Sequence, residues 1–184
     1  MLDQSLKSRL LPHERILWSG RPKQGILFHP RDILVVPFSV LWCAFAIFWT
    51  VMASSANAPF FFPFVGGIFV CVGIFMVFGR LLFDAWVRKG MEYAVTDRRI
   101  IILQTRPVGK FSTVALERMP DLQLTERGDG RGTIRFGAQA PFFGHSGFAI
   151  WIPSLDPVPQ FIAIDNVAGV FQTVQRATEQ RGQN

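Results

Sequence analysis

From Ile33 to Gly79 the chain contains no Asp, Glu, Lys, Arg or His. The stretch divides at ASSANAP (53 to 59) into ILVVPFSVLWCAFAIFWTVM (33 to 52) and FFFPFVGGIFVCVGIFMVFG (60 to 79). Each half reaches the roughly 20 residues with which a helix crosses a hydrocarbon core about 30 Å thick. A soluble fold would have to bury both halves on every side, and a chain of 184 residues has little else to wrap around them. The expectation is a transmembrane hairpin over 33–83, with spans of about 33–52 and 60–82, behind a cytoplasmic leader of 1–32. A cleaved signal peptide does not fit, because a long polar and mixed segment comes first and a second span follows at once.

The flanks set the orientation. Arg21, Lys23 and Arg31 precede the first span, Arg80, Arg88 and Lys89 follow the second, and the connecting loop is uncharged. The positive-inside bias then places both termini in the cytoplasm of a multi-pass protein, and an extracellular receptor or exported enzyme is excluded. The spans hold no ionisable group, which speaks against a transporter. Gly66, Gly67, Gly73 and Gly79 smooth one side of the second span, for close contact with the first helix or for self-association with another subunit. Cys43 and Cys71 match no metal or redox spacing and read as small hydrophobes.

After Arg80 the texture changes. LLFDAWVRKG (81 to 90) carries the helix to the membrane surface, with Trp86 as an anchor and Gly90 as the stop. Strand-like runs follow at 91–96, 98–104, 110–116, 121–127, 132–137, 147–152 and 160–164, separated by Gly, Pro and Asp. Leu122 and Leu124 alternate with Gln123 and Thr125, and Ile134 and Phe136 with Thr133 and Arg135, giving strands with one wet face. In the tail, Val167, Val170, Phe171 and Val174 change to a helical period, predicting a closing helix over 166–180. The cytoplasmic domain is thus placed at 90–180.

Within that domain stands YAVTDRRIIILQ (93 to 104). Thr96-Asp97 suits a tight turn whose carboxylate accepts backbone N–H groups, and Arg98 and Arg99 then open the next strand on opposite faces. At least one guanidinium faces an apolar surface and needs an acceptor, for which Asp97 and Glu92 are the nearby candidates. The segment reads as structural.

The order LLPHERILWSGRP (10 to 22), transmembrane hairpin, YAVTDRRIIIL resembles the bacterial pleckstrin-homology-like domain family of small membrane proteins. The family's Tyr-x-x-Thr-Asp-x-Arg run matches Tyr93, Thr96, Asp97 and Arg99, with Arg98 at the variable place. The resemblance implies an α+β membrane protein of the bacterial inner membrane, with a PH-like bent antiparallel sheet of about seven strands capped by a C-terminal helix. It supplies no agreed activity, and phosphoinositide binding does not transfer on fold alone.

Chemistry leaves few marks. His13, His29 and His145 form no metal pattern; Ser146 in GHSGF does not meet G-x-S-x-G; GDGRG (128 to 132) joins two strands without a following helix and reads as a hairpin turn. Asp121 and Glu126 fall on opposite faces of a strand. No catalytic, metal or cofactor site is expected, nor a small-molecule substrate. The net charge of +6 follows from inner-leaflet attraction, and without interleaved aromatic and basic residues nucleic acid is not a partner.

The expected function is a non-enzymatic, membrane-tethered binding or scaffold module that contacts membrane lipids and a membrane or cytoplasmic protein partner. The alternative is anionic lipid-headgroup binding in envelope maintenance, using Arg88, Lys89, Arg98 and Arg99 beside a loop carrying Phe142 and Phe143. That loop is either a wedge into lipid or core filling. The run Ile16-Leu17-Trp18 is either a docking strand, with Trp18 as its contact, or an added strand against the domain.

Overall fold

A computed structural model describes residues 4–30, 32–56, 58–119, 121–137 and 151–182. The chain divides into two compact units, one made of 1–24, 86–150 and 154–184, the other of 25–85 and 151–153.

The second unit is a helical hairpin. Helix α2 runs from Asp32 to Ser55, and α3 from Phe61 to Ile74. Helical structure then continues through a π segment, Phe75–Gly79, into α4, Arg80–Arg88. The π segment was not evident from composition, whereas Pro37 falls inside α2 near its start, as the expected span placed it. The glycines of α3 let the two backbones close up. A Cβ at Gly73 would stand 2.9 Å from the Cys43 Cα, and one at Gly66 would stand 2.3 Å from the Thr50 hydroxyl oxygen, whereas Gly67 has open space. Gly66 and Gly73 are therefore engaged within the hairpin. At its base Arg80 is buried and donates to Asp32 at 2.7 Å and to the Met76 carbonyl at 2.9 Å. Asp32 also accepts the His29 N–H at 2.6 Å, so this flanking cation is neutralised internally.

The first unit holds seven strands: β1 (Ile16–Gly20), β2 (Met91–Thr96), β3 (Arg99–Gln104), β4 (Lys110–Ala115), β5 (Leu122–Glu126), β6 (Gly132–Phe136) and β7 (Gln160–Ile164). They form two separate open antiparallel sheets, ordered β1-β2-β3-β4 and β5-β6-β7. The PH-like expectation of one bent sheet of about seven strands is therefore wrong. The ladder breaks after Ala115, where a 3₁₀ turn, Leu116–Arg118, buries Leu116 and no pairing joins β4 to β5. The membership differs as well. The leader supplies β1, while at the described end of the expected 147–152 strand Trp151 is helical and Ile152 irregular; 147–150 lie outside the described residues.

The run Ile100–Leu103 is buried throughout because β3 is covered on both faces. On one face Ala94 and Ile101 pack against Leu6, with Leu10 and Ile16 beside them, all from the leader and its short helix α1 (Gln4–Lys7). On the other, Tyr93 stacks on Phe161 with centroids 4.7 Å apart, and Phe136 meets the same ring edge-on at 5.0 Å. Helix α5, Val167–Gly182, buries Val167, Val170, Val174 and Ala177, on the period read from the sequence.

Candidate functional site

The 93–99 motif is placed at the β2–β3 turn, and its polar groups are taken up by the leader. Glu14 is the residue that sequence reasoning missed. Its carboxylate, fully buried, faces the guanidinium of Arg99 in a two-pronged arrangement: Nε donates to Oε1 at 2.9 Å and Nη2 to Oε2 at 3.0 Å. The Leu11 N–H adds a third bond at 2.7 Å. The Thr96 hydroxyl lies 2.8 Å from both Glu14 Oε1 and the Arg99 carbonyl, one of which takes its proton, while it accepts the N–H groups of Arg98 and Arg99 at 3.2 and 3.0 Å. Burial pushes the Glu14 carboxyl up, but the bonds from Arg99, Leu11 and Thr96 and the charge of Arg99 outweigh it, and the net shift is below its ordinary value.

The two acceptors expected for the arginines serve elsewhere. Asp97 takes the Arg15 N–H at 3.0 Å and returns its own N–H to the Arg15 carbonyl at 3.0 Å. Glu92 pairs with Arg21. Each carboxylate near the motif thus ties a leader residue to β2, alongside the β1–β2 ladder.

Of the four cations expected at a lipid surface, Arg99 is engaged by Glu14, and Arg88 is buried and donates to the Lys23 carbonyl. Lys89 is exposed and Arg98 half-buried. Tyr93 is buried and accepts the Ile162 N–H at 3.3 Å. Trp18 lies against Phe161, centroids 5.5 Å apart, on the inward side of β1. Phe142 and Phe143 lie outside the described residues.

A second polar assembly, unmarked in the sequence, lies between the inner face of β3–β4 and the loop before β7. Asp156 is buried and accepts from Arg135 at 2.7 Å and from the Val158 N–H at 3.0 Å; Arg135 also reaches Gln160 at 3.3 Å. Beside it opens a recess of about 330 Å³ lined by Gln104, Val108, Lys110, Leu155 and Asp156, among others. Prolines 157 and 159 stiffen one wall of the adjoining cleft and Ser112 and Ser154 contribute hydroxyls. Among the described residues no group of three or more His, Cys, Asp or Glu is placed to hold a metal ion. The GDGRG stretch forms the β5–β6 turn, where the Arg127 N–H reaches the Arg131 carbonyl at 2.7 Å and Gly130 takes φ of 72°.

No family model, curated protein or solved structure matches this chain. The resemblance to the pleckstrin-homology-like family is supported by none of these comparisons.

Proposed function

We propose that the chain is a two-span protein of a bacterial cytoplasmic membrane, both termini cytoplasmic, that acts as a non-enzymatic tethered module for binding or scaffolding. The observation that carries this is the outward aspect of the hairpin. Only 17% and 11% of the most apolar windows of its two long helices are buried, and Ile33, Leu41, Phe45, Phe61, Phe64 and Phe78 each expose about half or more of their surface. A core helix of a soluble domain is covered, so these faces call for lipid or an equally apolar partner. The strand-rich unit supports the binding half of the proposal: Tyr93, Thr96, Asp97 and Arg99 of its conspicuous motif are engaged by the leader and β7, leaving a polar recess and sheet edges as the surfaces a partner can use.

The test is gentle isolation of the intact protein from native membranes, with copurifying proteins and lipids identified by mass spectrometry, and repetition with Arg98→Ala. A stoichiometric protein partner retained by the variant is the expected result. Selective enrichment of one anionic lipid, lost in the variant while the fold persists, would replace the proposal with headgroup recognition.

A further inference from the structure

Strand β4 has only β3 as a ladder neighbour, and two bonds fix which of its backbone groups are left over. The Leu116 N–H donates to the Arg98 carbonyl at 3.1 Å, and the Thr105 N–H to the Gly90 carbonyl at 2.8 Å. Bonded pairs alternate along an antiparallel ladder, so Lys110, Ser112 and Val114 face β3, while Phe111, Thr113 and Ala115 turn N–H and C=O outward. Those three residues are also exposed. Among the described residues no second strand pairs with this edge.

The charge left without an opposite partner around the edge has one sign. Above its outer face the Arg9 and Arg99 guanidinium carbons stand 5.0 and 5.9 Å from the Phe111 ring centre. On the inner face Lys110 borders the recess with Val108 and Asp156. The nearby acids are engaged: Glu14 by Arg99, Asp156 by Arg135 and Glu117 by Arg181. Arg9, Lys110 and Arg118 have no carboxylate partner among the described residues.

We infer that β4 receives an extended acidic segment of a partner protein, which adds as a fifth strand on the backbone of Phe111, Thr113 and Ala115 and sets carboxylates against Arg9 on one face and Lys110 on the other. This rests on the binding-module proposal and specifies its surface. Main-chain bonds give such strand addition its affinity, and alternate side chains over the recess give it selectivity. A second copy of this chain fits less well, because it brings the same basic edge against itself.

The experiment uses the full chain in nanodiscs of zwitterionic lipid, with short labelled peptides in which pairs of glutamates, or pairs of lysines, alternate with pairs of valines, so that both faces of the extended peptide carry charge. The glutamate peptide is expected to bind saturably and to slow hydrogen exchange at the amides of Phe111, Thr113 and Ala115, with little change at Ser112 and Val114. Thr113→Pro removes one outward donor and no β3 bond, and should weaken binding about tenfold or more, while Thr113→Val leaves it unchanged. Lys110→Glu should weaken the glutamate peptide selectively; should Thr113→Pro disturb the fold, this variant and the exchange pattern carry the test. Absence of binding, or binding without alternate-amide protection, overturns the inference. So does protection that grows with protein concentration alone, or that anionic vesicles produce without peptide. A native partner that stays bound to folded Thr113→Pro would refute this edge yet leave the binding module standing, whereas no copurifying protein at all would refute the module itself.

Discussion

At Glu14 three donors converge on a carboxylate that burial alone would favour in its neutral form. Replacing it with alanine leaves Arg99 facing the sheet without a counter-ion, and losing one member of a buried pair costs on the order of 3 kcal/mol. Thermal unfolding of Glu14→Ala and Arg99→Ala should each show this loss, and the Glu14→Arg/Arg99→Glu exchange should regain part of it. The pH dependence follows from the lowered carboxyl. Its folded pKa lies below the ordinary value of 4.5, so its stabilisation is complete above that value and is lost as pH falls through the folded pKa. The melting temperature of the unmodified protein should therefore drop more steeply on acidification below about 4.5 than that of Glu14→Gln, which starts lower at neutral pH. Parallel acid profiles for the two would show that Glu14 carries no such linkage. Strand parity in the sequence put Arg98 and Arg99 on opposite faces of the next strand, whereas that strand starts at Arg99 and Arg98 stands in the bend before it. Parity carried no sign of the partner, because Glu14 stands far away in the chain and reaches Arg99 only once the leader has paired with β2.

At the level of elements, the helix–helix contact of the hairpin depends on Gly73. Gly73→Val places carbon atoms against the Cys43 backbone and should destabilise the hairpin by about 1–3 kcal/mol, measured as loss of helical signal in mild detergent. Gly67→Ala meets nothing within 4 Å and should be close to neutral. Equal losses for both would contradict the close-approach account, since helix propensity alone favours both substitutions. Helix α5 and strands β2 to β7 were legible because each has its own period and its own turn residues. The division into two sheets was not, since it depends on whether β4 finds β5, and a buried Leu116 followed by Glu117 and Arg118 looks in sequence like an ordinary connection. The leader's role was open for the same reason: Ile16-Leu17-Trp18 has strand character, but β2 as its partner is a tertiary choice.

For the whole molecule, the claim that organises the rest is that the hairpin crosses a membrane twice and leaves the leader and the strand-bearing segments on one side. The β1–β2 ladder and the Glu14–Arg99 pair join residues from before and after the hairpin, which requires both to share one compartment. Single cysteines at Ala56 and Glu179, in a background lacking Cys43 and Cys71, report this directly in intact cells with a membrane-impermeant thiol reagent. Labelling of Ala56→Cys from outside, with Glu179→Cys labelled only after the cells are opened, is the expected result. Labelling of Glu179→Cys in intact cells, or protection of both sites until lysis, would contradict it.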